Sequence, residues 1–124
     1  MRVLTSLLAI AICLNVCFAH GGQKIVEITP ESNQVAINLY RSVVAETNEK
    51  VLSSLVDFEK NLLSYTTQVV SGVTHRMVFK FEYVSSPYFC LSIWQKASRS
   101  FAINKYSFHK DLESANESCG IANN

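Results

Sequence analysis

The sequence has no surplus of either charge: eleven Lys and Arg stand against ten Asp and Glu in 124 residues. Binding to nucleic acid or to an anionic membrane surface calls for a basic excess, so neither partner is expected. Histidine is scarce too, with only His20, His75 and His109. None stands near another His or a Cys pair at a zinc-binding spacing, so no metal is expected. Gly21-Gly22 lacks the rest of a phosphate loop, and Asp57 and Glu59 read as solvated charges rather than a matched acid pair. No cofactor and no enzymatic activity are therefore expected.

A long apolar run occurs once, from Val3 to Phe18, and is interrupted only by Thr5, Ser6 and Asn15. Arg2 precedes it, and Cys17-Phe18-Ala19 ends it with small residues at −3 and −1. Residues 1–19 thus read as a secretory signal peptide cleaved after Ala19. As a membrane span the run is short and weakly apolar towards its end. The expected mature protein, 20–124, is a soluble, extracellular single domain. Cys13 and Cys17 leave with the signal, so Cys90 and Cys119 remain in an oxidising compartment, where one disulfide is the default. It would close a loop of about 30 residues and contribute roughly 3 to 4 kcal/mol if it acts on chain entropy.

After His20-Gly21-Gly22, which by itself reads as a flexible terminus, Lys24 to Thr29 alternates as a short strand ended by Pro30. Ser32 or Asn33 is the expected N-cap of a helix from Gln34 to about Val51. Its apolar stripe is Ala36, Tyr40, Val43, Val44, Thr47 and Val51, a core face at helical spacing. Leu52 to Lys60 is open between a loop, suggested by Ser53-Ser54, and buried anchors at Leu55, Val56 and Phe58. Strand composition begins near Leu62 and continues past Gly72, where Met77, Phe79, Phe81 and Tyr83 alternate with Arg76, Val78, Lys80 and Glu82. That pattern predicts an antiparallel sheet covered on one face. Ser85-Ser86-Pro87 is a turn, Tyr88 to Gln95 a fourth strand, and Arg99 to Phe108 a fifth. Lys96-Ala97-Ser98 forms a second hairpin tip. The tail from His109 is polar and carries the sequon Asn116-Glu117-Ser118, a candidate N-glycosylation site. Strand, helix and four strands in that order give an α+β fold.

Within this order stands Gln68-Val69-Val70-Ser71-Gly72. Consecutive valines cannot share one face of a strand. The segment is either a strand ending at a glycine turn or an exposed apolar tip. It resembles the first inhibitory loop of the cystatins, whose Gln-x-Val-x-Gly tip enters the cleft of papain-like cysteine proteases. The resemblance covers the chain from the N-terminal glycines to about Phe108. It implies a cystatin-like five-stranded antiparallel sheet wrapped around one long helix. Its partners would be proteases of the papain and cathepsin L and B kinds. The contacts would come from Gly21 or Gly22, from Gln68, Val69, Val70, Ser71 and Gly72, and from Lys96, Ala97 and Ser98. The family also implies an active monomer and a tendency to domain-swapped dimers.

Departures from the family pattern are equally specific. The usual Pro-Trp of the second hairpin is missing, its positions falling near Ala97-Ser98, and Trp94 reads as a strand residue. Only His20 would precede the glycines. Secreted members often carry two disulfides, and only the later one can form here. Ser53-Ser54-Leu55 does not match the Ser-Asn-Asp segment with which some members bind asparaginyl endopeptidase, so that activity is not expected. The alternative function is a non-inhibitory cystatin-fold binding or antimicrobial protein.

Overall fold

The structure, a computed structural model, describes residues 22–82 and 84–121. Residues 1–19, read above as a signal peptide, together with His20, Gly21, Tyr83 and residues 122–124, lie outside the described residues. The chain forms β1 (Gln23–Ile25), α1 (Pro30–Thr47), α2 (Lys50–Ser54), β2 (Lys60–Val69), β3 (Gly72–Phe81), β4 (Tyr88–Lys96), β5 (Phe101–His109) and α3 (Leu112–Cys119). The five strands make one antiparallel sheet in the order β1-β2-β3-β4-β5. The fold is α+β, with α1 joined by two shorter helices.

Helix α1 starts four residues earlier than its stripe suggested. Pro30 occupies the first turn rather than merely ending β1, since its missing N–H costs nothing there. Thr29, not Ser32 or Asn33, is the N-cap. Its hydroxyl accepts from the Ser32 N–H at 3.0 Å, and the Ser32 hydroxyl accepts from the Thr29 N–H at 2.8 Å. This reciprocal capping box closes two otherwise open donors. The helix ends at Asn48, whose φ of 56° takes the left-handed conformation and whose N–H reaches the Val44 carbonyl at 2.8 Å. Strand β1 is correspondingly shorter than Lys24 to Thr29. The ambiguous stretch after α1 resolves into α2 and a turn. Glu49 caps α2 by accepting from the Leu52 N–H at 3.0 Å, so Val51 faces outward and Leu52 enters the core.

The main core lies between α1 and one face of the sheet. Ala36, Tyr40 and Val43 of α1 meet Leu62, Tyr65, Met77, Phe79, Phe81, Phe89, Leu91 and Ile93. Tyr40 packs edge-on to Phe79 with ring centroids 6.1 Å apart, and its hydroxyl donates to the Leu52 carbonyl at 2.8 Å. Burial, reinforced by Glu49, keeps that phenol protonated well above its ordinary range. Lys60 is also buried. Its ammonium donates to the Val56 and Phe58 carbonyls at 3.1 and 2.8 Å and lies 4.7 Å from the Tyr40 ring centroid. Burial lowers its pKa.

The opposite face is not left to solvent. The tail, read from the sequence only as polar, folds into α3, capped by Asp111, whose carboxylate accepts from the Ser114 N–H at 2.8 Å. Cys90 and Cys119 form the expected disulfide with a Cα separation of 5.5 Å. It sits in a second small core with Val78 and Ala115. Val78 was expected on the outward, largely charged face; α3 covers it. Asn116 and Ser118 both lie in α3. The Asn116 Oδ1 is buried, and the Ser118 hydroxyl accepts from the Lys105 ammonium at 3.0 Å. The helix as folded therefore does not offer that amide oxygen to solvent. Two register shifts, after Leu62 in β2 and opposite Ser92 and Ile93 in β5, insert one extra residue each and bend the sheet.

Candidate functional site

Register fixes what meets at one end of the sheet. Gln23 opposes Gln68, Val69 opposes Val73, and Gly72 opposes Lys96. The start of β1, the β2–β3 turn and the β4–β5 turn are thereby side by side. The three segments singled out in the sequence converge, as far as the described residues reach; Gly21 is not among them.

The β2–β3 turn is tight. The Val70 N–H donates to the Gly72 carbonyl at 2.9 Å. Ser71 and Gly72 both have positive φ, 50° and 119°. These positive φ values let the chain reverse between the paired Val69 and Val73. Gly72 is required twice over. A Cβ there would collide with the Gln95 carbonyl oxygen and stand 2.9 Å from the Trp94 Nε1. Ser71 has no such freedom and holds a conformation worth of order 1–3 kcal/mol of strain. Val69 is 81% exposed and Val70 52% exposed, and Val69 is the most exposed large hydrophobic residue among those described. The turn is thus a short, tight projection with an apolar crest.

Gln68 has a different position from its neighbours. Its Oε1 accepts from an Arg76 guanidinium N–H at 2.8 Å on the sheet face that carries α3. Its Nε2 would lie 3.2 Å from a Cβ at Gly22, which has φ 92°. Gln68 therefore joins the N-terminal segment to the base of the turn. Gln23 extends this belt, accepting from the Thr66 hydroxyl at 2.9 Å and donating to the Gly120 carbonyl at 2.8 Å, just past α3. Burial depresses the Arg76 pKa.

On the core face below the turn, Tyr65, His75 and Gln95 form a second bracket across three strands. The Tyr65 hydroxyl is 2.7 Å from His75 Nδ1, and His75 Nε2 is 3.0 Å from Gln95 Oε1. Burial holds His75 below its usual pKa, against the opposing pull of Gln95, and raises the Tyr65 phenol to about 12.

The β4–β5 turn is longer than Lys96-Ala97-Ser98. It closes with the Lys96 N–H on the Ser100 carbonyl and the Arg99 N–H on the Lys96 carbonyl, both at 2.8 Å. Arg99 takes the positive φ, 74°. Ala97, Ser98 and Arg99 are exposed, while Lys96 is half-buried with its ammonium 5.5 Å from the Trp94 ring centroid. Trp94 lies in β4, as its alternation implied, but its indole N–H donates to the Ser71 carbonyl at 3.3 Å. Arg76 and Gln23 were not read from the sequence as part of the site, and Trp94 was read only as a strand residue. Only the cross-strand register, which the sequence does not print, brings them to the tip.

In comparisons with known proteins, no family model, no curated sequence and no solved structure matches this chain. Among the described residues no group of three His, Cys, Asp or Glu side chains could hold a metal ion, and no helix is long and apolar enough to cross a membrane.

Proposed function

We propose that this protein is a secreted, reversible, competitive, tight-binding inhibitor of papain-like cysteine proteases. It acts by inserting a wedge made of the N-terminal glycine segment, the Gln68–Gly72 tip and the Lys96–Ser98 turn. The observation that carries the reading is the exposed Val69-Val70 crest on a tight turn that has no room for a side chain at Gly72. Exposed apolar side chains on a preformed projection give up little entropy on entering an apolar cleft. Gly22 and the β4–β5 turn flank the crest, as a three-part wedge needs. The five-stranded sheet with α1 across it is compatible with the cystatin-like fold that the Gln-Val-Val-Ser-Gly segment implies. Secretion draws support from the apolar run 3–18 and from the Cys90–Cys119 bridge, since disulfides persist in oxidising compartments.

One observation favours the alternative of a non-inhibitory binding or antimicrobial protein. Ala97 and Ser98 stand exposed where the family presents Pro-Trp, so that turn lacks an aromatic anchor. A titration of papain and of a cathepsin L-like protease with the monomeric protein separates the two. Competitive inhibition that is relieved on dilution or by excess substrate is expected. Full protease activity at micromolar concentrations of folded protein would refute the inhibitor reading and leave the alternative.

A further inference from the structure

Trp94 is the one tryptophan of the sequence, and it occupies the space between the two turns. From β4 its indole N–H reaches the Ser71 carbonyl at 3.3 Å, and the Lys96 ammonium of the second turn lies 5.5 Å from its ring centroid. Thr74, its partner across β3, is buried, and Ala102, its partner on β5, is small. Ser71 is the residue of the tip with the least right to its backbone conformation, since it holds φ 50° without being glycine. Its carbonyl direction is therefore the part of the turn most in need of an external restraint. Gly72 completes the arrangement, because any side chain there would press on the indole nitrogen.

We infer that Trp94 is a positioning residue for the tip: its indole N–H holds the Ser71 carbonyl and thereby fixes the angle at which Val69 and Val70 are presented. This deepens the inhibitor reading and rests on it for its functional arm. The restraint itself belongs to the free protein and can be measured there.

The test compares wild type with Trp94→Phe, which keeps a ring in β4 but removes the N–H, and with Gly72→Ala, which displaces the indole. Nuclear magnetic resonance of the free protein gives one indole signal. Its proton should exchange with solvent about 10-fold more slowly than that of a free indole, and Gly72→Ala should abolish this protection. In Trp94→Phe the heteronuclear NOE of residues 70–72 should fall, while that of β3 below Thr74 should not. Papain inhibition by Trp94→Phe should weaken about 3- to 10-fold, the ordinary weight of one hydrogen bond. Faster association cannot offset the loss if the tip must first be ordered. An unprotected wild-type indole, or an equally rigid tip in Trp94→Phe, would overturn the inference whatever the inhibition shows. A loosened tip in Trp94→Phe together with a wild type that does not inhibit would refute the proposed function and uphold the positioning role.

Discussion

Replacing Val69 and Val70 together by aspartate is expected to weaken papain inhibition by about 100-fold or more without unfolding the protein. A fully buried valine is worth roughly 1.5 to 3 kcal/mol, and about 1.4 kcal/mol is one decade of affinity. Both side chains are largely available to a partner, being 81% and 52% exposed in the free chain. Each aspartate also brings a charge that would lose its water inside a cleft. The same exposure makes the fold indifferent. The crest begins at the last pair of the β2–β3 ladder, Val69–Val73, and lies outside both cores, so the thermal midpoint should stay within the small range of surface substitutions. The pair of measurements is an inhibition titration and a melting curve on the same samples. Inhibition within about 3-fold of wild type would take the crest out of the interface.

Removing the disulfide by Cys90→Ala with Cys119→Ala is expected to cost roughly 3 to 4 kcal/mol, the chain-entropy value for a loop of about 30 residues. For a domain of this size that lowers the melting temperature by of order 15 °C. The bridge carries more than entropy. It pins α3 onto Val78, and the residue after α3, Gly120, accepts from the Gln23 side chain. Loss of the bridge should thus be felt at β1, 97 residues away in sequence along that hydrogen bond. Hydrogen exchange of α3 and β1 should accelerate more than that of β3. A variant whose midpoint falls by less than about 3 °C would mean that packing alone holds α3.

What could be read in the sequence was whatever repeats at a fixed period or is spelled by local chemistry. Met77, Phe79 and Phe81 alternate cleanly, and the observed core takes all three. The hairpin about Val70-Ser71-Gly72 was legible because glycine and two valines leave few alternatives. The start of α1 was misplaced because Ser32 and Asn33 are themselves good caps. Thr29 wins through the proline that follows it and through the reciprocal bond with Ser32. Helix α3 was missed for a different reason. Its buried residues are only Ala115 and Cys119, too few for a periodic signal. So short a helix owes its stability to docking rather than to its own sequence. Gln68 was grouped with the valines by motif, yet its side chain turns to Arg76 because neighbours on a strand face opposite ways.

The strands sit in the sheet in the order in which they leave the chain. Three of the four ladders are therefore hairpins that close as soon as a short turn forms. The ladder between β1 and β2 alone must wait for α1 and α2 to fold between its strands. Loop closure grows costlier with length, and chains rich in near-neighbour contacts fold fastest. In time rather than in space, the meander from β2 to β5 is expected first and the Gly22 segment last. Pulse-labelled refolding with the disulfide intact should protect the Phe81 amide, bonded to the Pro87 carbonyl, before the Val26 amide, bonded to the Tyr65 carbonyl. Simultaneous protection would contradict this order. The proposed wedge, assembled in that sequence, would become whole only at the final step of folding, so no partly folded chain would carry all three of its edges.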